Sequence, residues 1–155
     1  ESPEQCRLLR LDQPILTNAD LERVKALDRP GFKCRTLSTL FRRSDGAAGL
    51  AQRMSELRAE ASAAIADGVT LLILSDRGVN AQWVPIPALL ATSGVHHHLI
   101  REETRTRCGL IVESGEPREV QHFALLTGYG AGAVNPYLAF AVLRDMHAQN
   151  FFPEF

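Results

Sequence analysis

Lysine is nearly absent from this chain: Lys25 and Lys33 stand against fifteen arginines. The cations are balanced by 18 acidic residues, for a formal net charge of -1. No global field therefore draws the chain to nucleic acid or to an anionic membrane surface. Cysteine is scarce too. Cys6, Cys34 and Cys108 form an odd, scattered set, which gives neither a disulfide framework nor a CxxC metal pattern and fits buried thiols in a reducing compartment. No apolar run approaches the ~20 residues that span a bilayer, and no charged-then-apolar leader opens the sequence. The expectation is a soluble, cytoplasmic chain without nucleic-acid or membrane partners. GxGxxG dinucleotide, P-loop and HExxH zinc patterns are missing as well.

What is present is an alternation. The 155 residues, 45% hydrophobic and 23% charged, are expected to form one α/β domain over 1–155. Residues 1–31 read as a lead-in, where TNADLERVKAL predicts a short helix capped by Thr17 or Asn18, with Leu21, Val24 and Leu27 at helical spacing. Residues 32–155 read as four βα units. The first has a strand over 33–41 and a long helix with Leu50, Met54, Leu57, Ala61 and Ala64 on one face, stopped at Asp67-Gly68. The second has the apolar strand VTLLILS, a loop over 76–87 and a helix over Ala88–Arg101. The third has a strand over 105–114 and a helix opening near Glu116-Pro117. The fourth has a strand-like stretch over 132–140 and a last helix through Leu143 and Met146. Successive βα units imply parallel strands with right-handed crossovers. The periodicity is equally consistent with a small open sheet and with half of a (βα)8 barrel, whose edges would need cover from a neighbour.

The candidate sites sit at the joints of this pattern. His96, His97 and His98 are consecutive, and successive helical residues point ~100° apart. Their fourth-residue partners, Thr92, Ser93 and Gly94, are poor ligands, so the run reads as the polar end of a helix touching the next loop. In α/β folds chemistry gathers at the carboxyl ends of strands. Those ends carry Ser75-Asp76-Arg77, Glu113-Ser114-Gly115-Glu116 and Asn135-Pro136-Tyr137. Asp76 and Glu113 would make an acid/base pair on neighbouring strands; otherwise Asp76 and Arg77 pair with adjacent loops and helix ends and fix loop geometry. SDGAAG precedes a helix whose start is open to an anion. TGYGAGAVN runs helix, glycines, strand, the reverse of a dinucleotide fingerprint, and reads as a turn. Trp83 reads as loop packing. The residues by themselves supply no complete catalytic, cofactor-binding or metal-binding set.

Several stretches, PILTNADLERV, LLILSDRGV, IPALLATSGVHHHLIR and GLIVESGEPREVQHFALLTGYGAGAVNPYLAF, resemble the central domain of the glutamate synthase large subunit, in order and over nearly the whole chain. The resemblance implies a half-barrel-like α/β domain excised from a larger bacterial enzyme that moves the amide nitrogen of glutamine to 2-oxoglutarate. It implies a structural and coupling role between a glutamine amidotransferase domain and an FMN-binding synthase domain, framing the route of ammonia. FMN, a 3Fe-4S cluster and, through a small NADPH-oxidising subunit, FAD and NADPH would belong to the parent enzyme, with ferredoxin as the other electron donor. Cys6 has Glu1 to Gln5 before it and is no N-terminal nucleophile, so no catalysis is expected of the chain alone. Asp76, Arg77, His96, Glu113 and Ser114 become strand-end or interface candidates. The alternative is a stand-alone binding or enzymatic domain built on Asp76 and Glu113.

Overall fold

A computed structural model describes residues 8–151; Cys6 lies outside them. In chain order the elements are α1 (Asn18–Lys25), β1 (Cys34–Ser38), β2 (Leu40–Arg42), α2 (Gly46–Ala66), β3 (Leu71–Ser75), β4 (Trp83–Pro85), α3 (Ala88–Arg101), β5 (Gly109–Glu113), α4 (Val120–Gly128), β6 (Ala133–Asn135) and α5 (Tyr137–Ala148). The main sheet is parallel, in the order β1-β3-β5-β6, and four of the five helices follow its strands. This is the expected α/β fold of four βα units. The strand order never reverses, which is compatible with half of a (βα)8 barrel.

Alternation along the strands makes two cores. Leu37, Leu72, Leu74 and Leu110 face Met54, Leu57 and Ala61 of α2 and Ala91, Val95 and Leu99 of α3, and Val112 and Val134 continue that face against Leu126 of α4. Leu71, Ile73, Ile111 and Ala133 point the other way, onto Leu16 and onto Leu21 and Val24 of α1. A buried Leu of this kind contributes roughly 1.5–3 kcal/mol over an exposed one. The lead-in thus covers part of the sheet's second face. Its helix starts at a capping box: the Thr17 hydroxyl accepts from the Asp20 amide at 3.1 Å while the Asp20 carboxylate accepts from the Thr17 amide at 3.3 Å. Thr17 is therefore the cap and Asn18 the first helical residue. Ahead of it, Ile15 bridges Val134 in parallel, with Leu16 donating to the Val134 carbonyl at 2.9 Å. The lead-in seals the β6 edge as well as part of one face.

Four boundaries differ from the sequence expectation. The strand over 33–41 breaks at Thr39, whose amide donates to the Ser75 carbonyl at 2.8 Å; the chain beyond it, β2, pairs antiparallel with β4, inside the stretch expected to be loop. The third strand is preceded by a 3-10 turn at Arg105–Arg107 and begins only at Gly109. The helix expected to open near Glu116-Pro117 starts at Val120, where His122 Nδ1 accepts from the Arg118 and Glu119 amides at 3.1 and 3.3 Å; the Glu116 carboxylate accepts from the Ala88 amide at 2.9 Å and caps α3. The strand-like stretch over 132–140 is a strand for three residues only; Pro136 ends it and α5 takes the rest.

That last helix is anomalous. Its first seven residues read Tyr-Leu-Ala-Phe-Ala-Val-Leu, yet none of its residues is buried. Val142 and Leu143 are 48% and 53% exposed. A helix that is apolar all round is normally a buried one. Among the described residues no helix is long and apolar enough to cross a membrane.

Candidate functional site

The carboxyl ends of β3 and β5 lie side by side, with Ser75 opposite Glu113 in register. The sequence pairs there are complementary, Ser75-Asp76 on one chain segment and Glu113-Ser114 on the other, and each serine serves the other's acid. The Ser75 hydroxyl donates to Glu113 Oε2 at 2.7 Å and the Ser114 hydroxyl to Asp76 Oδ2 at 2.6 Å. Glu113, 2% exposed, also accepts from Arg77 Nε at 2.9 Å and from Lys25 Nζ at 3.3 Å on both oxygens. Asp76 accepts in addition from the Gly115 amide at 3.0 Å. The two carboxylates therefore have separate donors, and these meet the acceptor capacity that burial would otherwise make costly.

Electrostatics follow from this network. Burial alone would raise the Glu113 carboxyl above its ordinary range, but Ser75, Arg77 and Lys25 outweigh it and hold the group below. Burial works against the Lys25 ammonium as well, and Glu22 and Glu113 together still raise it above its ordinary value. Tyr137, the first residue of α5, lies beneath Arg77, with the guanidinium carbon 3.9 Å from the ring centroid. Its hydroxyl is pushed well above the ordinary tyrosine range by burial and then by the Asp76 carboxylate. Arg77 is thus fixed twice, through Nε to Glu113 and through its plane on an aromatic face. On the next strand Asn135 is wholly buried and donates to the Leu16 carbonyl at 2.9 Å and to Asn18 Oδ1 at 3.0 Å. It ties the strand end to the start of α1.

His96 stands apart from this cluster. Its Nδ1 accepts from Arg105 Nε at 2.9 Å, while the same guanidinium donates to the Cys108 carbonyl at 2.8 Å and the Gly130 carbonyl at 2.7 Å. Burial and then the Arg105 charge hold the His96 imidazole below its ordinary value. Gly130, at φ 109°, could carry no Cβ, since that atom would collide with the His96 ring. His98 turns away to the Ser62 hydroxyl at 2.9 Å, and His97 is exposed. The three rings diverge as helical spacing requires, and His96 works as a hinge-pin between α3, the turn before β5 and the turn after α4.

The other candidates are quickly placed. Asp45 occupies the N-cap position of α2 and sets an acidic group where SDGAAG would receive an anion. Trp83 is in β4, with the Arg42 guanidinium 5.4 Å from its ring centre. Cys34 belongs to the core under α1 and Cys108 to the core under α2 and α3; burial raises both thiols above their ordinary value. Two thiols on opposite faces of the sheet, both held protonated, are not the clustered thiolates an iron–sulfur centre needs. Among the described residues, the glycine-bearing turn from β2 to α2 would meet a flavin phosphate with the acidic Asp45 at the helix start. The described residues fit neither group.

Lys25 and Arg105 escaped the sequence reading as members of these networks. Lys25 lies 88 residues from Glu113, and no local pattern announces such a pair. Arg77 and Tyr137 were each visible as strand-end residues, but not their stacking.

Comparison with known proteins gives one consistent result. A family model described as the glutamate synthase central domain matches residues 1–154. The NADH glutamate synthase of Schizosaccharomyces pombe is 41% identical over 148 residues, covering 94% of this chain and 7% of that protein. The large chain of the NADPH glutamate synthase of Bacillus subtilis is 43% identical over 144 residues, 93% of this chain and 9% of its own length. The ferredoxin-dependent glutamate synthase of Pyropia yezoensis is 36% identical over 146 residues, again 93% and 9%. The chain spans less than a tenth of the length of these curated relatives.

Proposed function

The chain belongs to the glutamate synthase central domain family, and from that premise we propose that residues 1–155 act as one domain inside a glutamate synthase polypeptide, linking a glutamine amidotransferase domain to an FMN-binding synthase domain. In this reading the domain holds the two in register and helps frame the passage of ammonia from glutamine towards 2-oxoglutarate. It performs no chemistry alone. FMN and the 3Fe-4S cluster belong to the synthase part, and electrons arrive there from a nicotinamide-oxidising subunit or from ferredoxin. The relatives' names span NADH, NADPH and ferredoxin, so this domain is common to all three and does not select the donor.

One observation carries the reading: a chain matched over about 94% of its length fills only 7–9% of single polypeptides named glutamate synthase. Two features support it. The strand-end carboxylates, the best catalytic candidates, both accept from internal donors, which favours this reading over the alternative of a stand-alone enzyme using Asp76 and Glu113. The exposed apolar face of α5 offers the kind of surface that a neighbouring domain covers.

The test is stoichiometry in the full-length protein. Replacing Val142 and Leu143 together by Asp should loosen the domains, so that glutamine hydrolysis outruns glutamate formation. Retention of one glutamine hydrolysed per amide nitrogen delivered, in a variant that folds, would remove the coupling role.

A further inference from the structure

The lead-in helix covers only part of the sheet's second face. Thr36 and Ser38 are exposed on β1, and an open cleft of ≈ 450 Å³ is lined by these two residues with Glu22, Lys25, Ser75, Arg77 and Glu113. The cleft lies at the carboxyl ends of parallel strands, where open α/β sheets bind ligands, and its size suits a small molecule.

The valences on this surface can be counted. Glu113 is fully engaged, and Lys25 is divided between Glu113 and Glu22 Oε1, the latter at 2.9 Å. Among the described residues, no hydrogen bond uses Arg77 Nη1 or Nη2, the Thr36 hydroxyl or Glu22 Oε2. Ser38 Oγ accepts from the Leu40 amide at 3.2 Å, which leaves its proton to give. The charges cancel: Lys25 and Arg77 against Glu22 and Glu113. A net anion would gain nothing from the field of such a cleft, and neither would a net cation. What has no protein partner among the described residues is a planar pair of guanidinium donors on Arg77 and a carboxylate oxygen on Glu22, both on side chains open to water. Because Arg77 is already held by Glu113 and Tyr137, little side-chain freedom is lost when its outer edge is engaged.

We infer that this cleft binds a zwitterionic α-amino acid with a polar, uncharged side chain. The ligand carboxylate takes the Arg77 Nη pair, its ammonium takes Glu22 Oε2, and its side chain lies along the Thr36 and Ser38 hydroxyls. The inference stands on this geometry and does not depend on the multidomain reading above.

L-Glutamine and its desamino analogue glutaramate are a matched pair of probes, identical except for the ammonium group. In 1H–15N spectra of the 155-residue chain, L-glutamine should shift the amides of residues 22–25, 36–38 and 75–77 saturably, with a dissociation constant on the order of 1 mM. Glutaramate should bind about tenfold more weakly. Glu22→Gln, an exposed substitution that leaves the core untouched, should abolish that difference, and Arg77→Lys, which keeps the charge but loses the fork, should weaken both probes. Equal binding of the two probes, or a difference that survives Glu22→Gln, would overturn the zwitterion. Shifts confined to other residues, or none at about ten times the expected constant, would overturn the site.

Discussion

The strand ends of β3 and β5 and the helix α5 are neighbours through Tyr137, yet they resolve opposite problems. At the strand ends, two acids at 5% and 2% exposure each accept from donors inside the chain: hydroxyls, an amide and two cations. In α5 seven consecutive residues are aromatic, aliphatic or alanine, and none is buried. Polar groups are thus turned inward and satisfied, while apolar groups are turned outward and left uncovered. In the function proposed above, a neighbouring domain would supply the cover that α5 lacks. The contrast also separates stability from interaction. The strand-end lattice should matter to this chain by itself, and α5 should matter only to whatever covers it.

Substitutions can break that contrast, and the largest effect belongs to the covered core. Leu57, fully buried on the inner face of α2, should lose about 2–5 kcal/mol of stability as Leu57→Ala in urea denaturation; a cost near zero would mean that the α2 face is not packed. Next is Ser114→Ala, which strips the hydroxyl from a buried carboxylate. It should cost about 1–3 kcal/mol, and no change would show that Asp76 rehydrates freely.

A smaller effect appears in pH dependence. Glu113 titrates below its ordinary value of 4.5 in the folded chain, so its contribution is present above that value and disappears as pH falls through the depressed folded one. His96 also titrates below its ordinary 6.5. There the unfolded chain takes up its proton first, and stability begins to decline as pH falls below about 6.5. Glu113→Gln should flatten the acid limb of the thermal midpoint curve while leaving the shallow decline that begins near 6.5. An unchanged limb would assign acid unfolding to other groups. Smallest of all is Leu143→Ala in α5, expected to stay within about 0.5 kcal/mol in the chain alone. A cost like that of Leu57→Ala would erase the distinction between the two regions.

Much of this architecture was readable in the sequence because local rules governed it. Thr17-Asn18 announces a helix start, the spacing of Met54, Leu57, Ala61 and Ala64 declares the buried side of α2, and the unbroken apolar run of β3 says that both of its faces are covered. The rest is set by contacts between distant residues. Where β1 ends, Thr39 meets the Ser75 carbonyl, 36 positions later, and α3 draws its cap from Glu116, 28 positions on. The candidate site divides in the same way. Asp76, Arg77, Glu113 and Ser114 were all visible at strand ends, but their reciprocal pairing depends on the β3–β5 register. Lys25 belongs to the site only through the docking of α1.

That docking also dictates an order of events. Asn135 holds the Leu16 carbonyl across 119 positions, and Leu16 and Val134 share a backbone bond over nearly the same separation. Closing so long a loop early is entropically unfavourable, so contacts of this span are made late. On a ribosome the lead-in emerges first and must wait for almost the entire domain before its partner exists. Until then the α1 side of β3, with Leu71 and Ile73, has no roof, and Glu113 lacks Lys25. The last strand is therefore the latch of the fold: a chain truncated before Ala133 should keep its α2–α3 face yet leave the lead-in unanchored.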